Sequence, residues 1–227
     1  MVPRRFASIL CVLASALTGC AQPVAAPPIA PCQPLPGAEA LLAEPAAGLI
    51  VIGADSASEG AALLLTACAA LTNGERVAAF LPSGPQWDAA RAIMAAWATQ
   101  GATIAVSALP APSSSDRPTA QSELAGALEA ATRASEVDRA VALVDAESAA
   151  RRPLGLSGET WTPAGAMLPA DGAITLRALA APSTTPRLTL EPFEDVAGVG
   201  PARAYDGLIT LPVAQDADAG AALRGRR

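Results

Sequence analysis

The sequence predicts a three-layer α/β/α fold around a mainly parallel sheet, with later strands as candidates for antiparallel additions at one edge. Three observations carry this. Short apolar runs of strand length recur: LIVIG (Leu49–Gly53), RVAAFL (Arg76–Leu81), ATIAVSAL (Ala102–Leu109) and AVALVDA (Ala140–Ala146). Stretches long enough for helices separate them. The runs also stay apolar instead of alternating, as parallel strands covered on both faces do, because each crossover must return over the sheet.

Taken in order, Ala38 to Glu44 reads as a short helix, and Gly48 opens the first strand. From Ala57 to Leu71 the pattern is helical, and Asn73-Gly74 stops it as a C-cap does. PSGP closes the second strand, and Pro85 suits the first turn of a helix that runs to Gln100 and stops at Gly101. The polar loop Pro110–Pro118 follows the third strand, and a third helix runs from Thr119 to about Ser135. Beyond Arg151 the signals weaken into Gly/Pro-rich loops with shorter strands at Ala173–Ala178, Arg187–Leu190 and Leu208–Leu211. These are the candidates for the antiparallel edge. The expectation is a single domain over residues 38–220 and an Arg-rich tail at 221–227.

Ahead of that domain, MVPRRFASILCVLASALTGC has a basic start at Arg4 and Arg5, an apolar core from Phe6 to Leu17, and then Leu17-Thr18-Gly19-Cys20. That is the layout of a bacterial export signal. Its core is too short for a permanent span, which needs roughly 20 apolar residues. Two small residues before a thiol mark residues 1–19 as a lipoprotein signal peptide and Cys20 as the lipidated (diacylglyceryl, palmitate-type) residue. Residues 20–37 are Pro/Ala-rich and read as an extended tether. Ala21 is not the aspartate that resembles an inner-membrane retention signal, so the expected location is the outer membrane, lipid-anchored and facing the periplasm.

Composition excludes much chemistry. The chain has no histidine, and its 15 basic residues are all arginine. Ser-His-Asp and Cys-His catalysis, Ser-Lys dyads, Schiff-base lysines, P-loop lysines and histidine-type zinc sites are therefore absent. A net charge of −6 argues against nucleic acid as a partner. Of four cysteines, Cys11 leaves with the signal and Cys20 takes the lipid. Cys32 and Cys68 remain as the pair available for a disulfide in an oxidising compartment, against the alternative that Cys68 in LLLTACAAL is simply a buried apolar residue.

In open parallel sheets the ligand crevice lies beyond the carboxyl ends of the strands. The turn GADSAS sits at such an end and leads into a helix N-terminus. Asp55, Ser56, Ser58 and Glu59 are placed for ligand binding there, although Ser56-Ala57-Ser58-Glu59 also fits the capping box S-x-x-E, which explains them without a ligand. Asp145 and Glu147 follow the fourth strand and join the same crevice if the first and fourth strands are neighbours. A carboxylate cluster of this kind can hold a divalent cation or act as acid and base. Arg151 and Arg152, just beyond, can grip an anionic group by forked hydrogen bonds, or form a solvated loop. Trp87, Trp97 and Trp161 are candidates for a partner surface. Trp87 and Trp97, on one expected helix, point about 80° apart.

The segments LIVIGADSASEGAALLLTACAAL, RVAAFLPSGPQWDAARAIMAAW, AVALVDAESAARRPLG and ARAYDGLITLPVAQDADA together resemble the superfamily of erythromycin esterase-like, TIKI-like and ChaN-like (haem-uptake) lipoproteins. The resemblance covers most of residues 38–220. It implies an enzyme-like α/β fold with chemistry after the first and fourth strands. Relatives carry Glu and His after the first strand, where this chain has Ala54 to Ser58, and His after the fourth, where it has Glu147 and Ser148. The resemblance therefore implies a pseudoenzyme, a degenerate member without the family's histidines.

The function expected from the sequence is a non-catalytic envelope lipoprotein, anchored in the membrane by lipid, that binds a small molecule or an envelope protein through this crevice. No catalytic residue is assigned and no cofactor is expected. A divalent metal, or haem ligated by Tyr205, Met94 or Met167, is the minor alternative to a structural tyrosine and core methionines. A carboxylate-based or metal-assisted hydrolase using Asp55 and Asp145 is the alternative function, and a structural lipoprotein the second.

Overall fold

The computed structural model describes residues 35–44, 48–134, 136–156, 159–181, 185–190 and 204–213. The expected signal peptide at residues 1–19, Cys20, Cys32, most of the expected tether and the Arg-rich tail lie outside the described residues. The chain opens with α1 (Ala38–Ala43), β1 (Leu49–Gly53), α2 (Ala61–Thr72) and β2 (Val77–Leu81). A 3-10 turn (Pro85–Trp87) leads into α3 (Asp88–Thr99), then β3 (Ile104–Ala108), α4 (Arg117–Ala134) and β4 (Arg139–Val144). The second half contains α5 (Ala146–Ala149), β5 (Leu154–Leu156), β6 (Glu159–Trp161), α6 (Ala164–Met167), β7 (Ala173–Ala181), β8 (Arg187–Thr189) and β9 (Gly207–Pro212).

Seven strands form one sheet in the order β3-β2-β4-β1-β7-β9-β8. Every pairing is parallel except β8 with β9. The α/β expectation thus holds, with one correction. The Ala173–Ala178 and Leu208–Leu211 segments are not an antiparallel edge: β7 lies beside central β1 and β9 continues the parallel order. Among the described strands of this sheet, β8 alone is antiparallel. The small hairpin β5-β6 stands apart from it.

Alternation along the strands divides the core. Leu49, Val51, Ala78, Phe80, Ala140, Ala142 and Val144 face α4, α5 and α6, meeting Leu124, Leu128, Ala149, Ala164 and Leu168. Their alternates Ile50, Ile52, Val77, Ala79, Val141 and Leu143, all buried, face the layer of α2 and α3, where Leu63, Ala67 and Met94 are fully buried. Each Val, Leu, Ile, Phe or Met side chain among them contributes roughly 1.5–3 kcal/mol on burial.

The helix stops expected at Asn73-Gly74 and Gly101 are Schellman turns. Gly74 and Gly101 have φ of 84° and 94°, and the following amides return to Ala70 O and Trp97 O. Buried Arg139 pairs with Glu75 at 2.8 Å and donates to Leu42 O, which ties α1 to the start of β4. Leu35 is buried, and Pro36 O accepts from Leu188 N. The fold therefore begins before the expected boundary at residue 38.

One topological fact positions the site. From β1 the chain crosses over β4 to reach β2, whereas from β4 it crosses over β1 to reach β7. Neighbouring strands whose connections depart in opposite directions leave a crevice beyond their carboxyl ends. Here that place lies between Gly53 and Val144, which are register partners.

Candidate functional site

Gly53 ends β1 without a side chain, and the helix after β4 sits directly on it. A Cβ there would come within 2.8 Å of Ala149 Cβ and 2.9 Å of Ala146 Cα. This close approach places the residues after β1 and after β4 around one spot. Helix α2 begins at Ala61, four residues later than the sequence pattern suggests, so Ala54 to Gly60 forms a turn over the crevice.

Within that turn the expected capping box is altered. Glu59 N donates to Ser56 Oγ at 3.4 Å, as the motif requires, but the Glu59 carboxylate accepts from Asp55 N at 2.7 Å and not from Ser56. The residue preceding α2 is Gly60, and no side chain caps the helix. Ser56 and Ser58 share a hydroxyl hydrogen bond of 2.9 Å.

The residue that organises the crevice is Arg177, which sequence reasoning missed. Parallel pairing of β1 and β7 sets it opposite Gly53. Its guanidinium donates to Gly53 O at 3.1 Å, to Glu59 Oε2 at 3.2 Å and to Asp55 Oδ2 at 2.7 Å. Arg177 and Glu59 are buried, with side chains 7% and 10% exposed, whereas Asp55 is 59% exposed. The other Asp55 oxygen accepts from Ala146 N at 3.4 Å, across to the β4 side. A signal was present in the sequence: Arg177 interrupts the otherwise uncharged strand AITLRALAA, and an arginine facing the interior requires an internal anion.

Asp145 and Glu147 do join this crevice. Both Asp145 oxygens are occupied by Ser148, Oδ1 by its amide at 2.8 Å and Oδ2 by its hydroxyl at 2.6 Å, an N-cap for α5. Ser148 Oγ also accepts from Gln121, whose carbonyl receives Ala164 N. Glu147 reaches Arg117 at 3.5 Å, and the Arg117 guanidinium lies 4.6 Å from the centre of the Trp161 ring. The hydroxyl of Tyr205 donates to Ala146 O at 2.8 Å. Burial pushes the Tyr205 phenol up to about 12; Arg177 opposes that shift, and the carboxylates of Asp55, Asp145 and Glu147 add to it.

Several expectations are corrected. Arg151 is not a free anion grip in this crevice. It bonds Asp206 at 2.8 Å and donates to the carbonyls of Gly165, Leu168 and Ala173, around the start of β7. Arg152 is exposed and joins none of these contacts. All three tryptophans are buried, so none presents a partner surface. Trp87 belongs to the 3-10 turn preceding α3, where helical angular spacing does not apply. Its ring packs on Gly60, where a Cβ would lie 2.4 Å from it.

Met94 is fully buried and Met167 partly exposed. Cys68 is disulfide-bonded, and it lines a cleft of about 690 Å³ between α1 and α2, at the other end of the sheet from the crevice. Cys32 lies outside the described residues. Among the described residues no three His, Cys, Asp or Glu side chains gather to hold a metal ion, and no helix is long and apolar enough to cross a membrane.

Comparison with protein-family models, with curated proteins and with solved structures gives no match. What the site can do therefore rests on its own geometry. Buried Glu59 is neutralised by Arg177 and Asp145 caps α5, while Asp55, Ser58, Asp145, Glu147 and Arg117 lie on a polar rim open to solvent.

Proposed function

We propose that this chain is an outer-membrane lipoprotein of the bacterial envelope, anchored through Cys20. It recognises a small polar ligand or an envelope protein at the crevice rim and performs no catalysis there. The observation that carries the reading is the three-way engagement of Arg177 with Gly53 O, Glu59 and Asp55. A hydrolytic carboxylate pair needs one group free to give a proton and another free to receive one or attack. Here Asp55 is bound to a buried guanidinium, and both Asp145 oxygens already accept hydrogen bonds. The missing histidines of the resembled esterase and haem-uptake superfamily point the same way. On this reading the crevice is the retained architecture of an enzyme-like fold, locked by its own ion pairs and left with a rim suited to recognition.

The test is photo-crosslinking in intact cells, with a photoreactive residue in place of Ser58 on the rim or of Thr99, exposed at the far end of α3. Adducts specific to Ser58, on a protein that incorporates labelled palmitate only when Cys20 is present, are the expected result. Equal adducts at both positions, or palmitate incorporation in Cys20→Ser, would overturn the reading. So would a hydrolytic activity that Asp55→Asn abolishes.

A further inference from the structure

The two edges of the sheet are finished differently. At one edge β8 is three residues long, follows Pro186, begins with Arg187, and has its central Leu188 amide bonded to Pro36 O. Prolines, charges and covering chain are the usual means of protecting an edge strand from pairing. Among the described residues the other edge, β3, has no proline or charge within Ile104–Ala108 and no chain bonded to its outer side. From Ala102 to Ser115 the sequence is uncharged, in a chain whose net charge is −6, and Ala105, Ser107 and Ala108 are exposed. The two charged side chains of neighbouring α3, Asp88 and Arg91, pair with each other at 2.9 Å.

The backbone of β3 is also suited to pair with itself. Val77 N donates to Thr103 O and Leu109 N to Leu81 O, so the odd-numbered residues of β3 face β2 and Ile104, Val106 and Ala108 turn their peptide groups outward. The Ile104 amide is already taken by Ala102 O at 2.9 Å. A twofold axis at Val106 sets Val106 opposite its own copy and Ile104 opposite Ala108 of the other chain. Two Val106–Val106 bonds and two from Ala108 N to Ile104 O then form with no change elsewhere. The antiparallel arrangement is self-complementary, as a closed dimer requires, and no charge faces a like charge. We propose that β3 is a homodimerisation edge, joining two copies into one continuous sheet through antiparallel β3–β3 pairing. This goes beyond the crevice reading and is independent of it.

The test is sedimentation equilibrium of the exported full chain carrying Cys20→Ser, from micromolar to hundreds of micromolar, with amide exchange followed at Val106 and Ala108. A monomer–dimer equilibrium is expected, in which both amides exchange more slowly as concentration rises. Val106→Pro removes two of the intermolecular donors and none within the chain, and it weakens association on the order of tenfold to a hundredfold. Ala108→Lys, at an exposed position, does the same by placing a charge on the neutral edge. Circular dichroism of both variants confirms that they are folded. A chain that stays monomeric throughout the range, or a dimer that neither variant weakens, would overturn the proposal.

Discussion

Replacing Arg177 with methionine tests whether the crevice is locked from within. The substitution keeps an unbranched chain of similar length and removes only the guanidinium. Three acceptors lose their donor, and the cost differs among them. Asp55 is mostly exposed and turns to water at little cost. Glu59 is buried and keeps only the Asp55 amide, and Gly53 O loses its bond to Arg177. Removing one partner of a buried ion pair costs about 3–5 kcal/mol, because the remaining charge stays uncompensated.

The expected loss is near the lower end, about 3 kcal/mol, since Glu59 retains one charge-assisted hydrogen bond. In a domain of this size that lowers the melting temperature by roughly 6–12 °C. Urea unfolding of the parent, Arg177→Met, Glu59→Gln and the double variant would be compared. Glu59→Gln in the methionine background should recover much of the loss, giving a coupling of about 2 kcal/mol, because a neutral amide leaves no buried charge. A loss below about 1 kcal/mol for Arg177→Met, or simple additivity of the two changes, would mean that Arg177 does not hold a buried Glu59 charge.

Two further outcomes rest on the same geometry. Gly53→Ala drives a methyl into Ala149 and Ala146 and should cost about 1–3 kcal/mol by overpacking; a thermal melt reads it, and an unchanged midpoint would mean that α5 does not sit on β1. Tyr205 is the only tyrosine, so its ionisation can be followed by ultraviolet absorbance, with a midpoint near pH 12 in the native protein and near 10 in urea. The sign is fixed by the buried neutral phenol: its stabilising contribution is complete below pH 10 and is lost as pH rises toward 12. A native midpoint at 10 would show that the phenol is not buried against Ala146.

The parallel half of the fold was legible because its signals are local. LIVIG, RVAAFL and AVALVDA are dominated by apolar residues, and Gly74 and Gly101 stop helices by adopting positive φ. Beyond Arg151 the elements are three or four residues long, with the exception of β7 and β9, and their placement depends on partners far along the chain. Nothing local in AITLRALAA says that it lies beside β1 and not at an edge. The site divides in the same way. Asp55, Glu59, Asp145 and Glu147 could be gathered from their positions after β1 and β4, but Arg177 enters through a register 124 residues distant from Gly53. Arg151 has the chemistry of an anion grip, yet four acceptors around the start of β7 claim it.

The capping motif and the active-site position, alternative readings of GADSASEG, are parts of one structure. Glu59 belongs to the cap by sequence spacing, yet its carboxylate serves the Asp55 amide and Arg177. Local capping alone would not require an arginine from β7, and a working acid–base pair would not be served by two carboxylates bound to one buried guanidinium. The arrangement makes sense as a brace: it joins the end of β1 to the middle of β7 and, through Asp55 and Ala146, to the residues just after β4. A brace at a topological switch point ties the crevice residues together, and for the proposed recognition role a pre-formed rim would lower the ordering entropy that binding costs. Arg177→Met should therefore weaken capture at Ser58 more than its loss of stability alone explains.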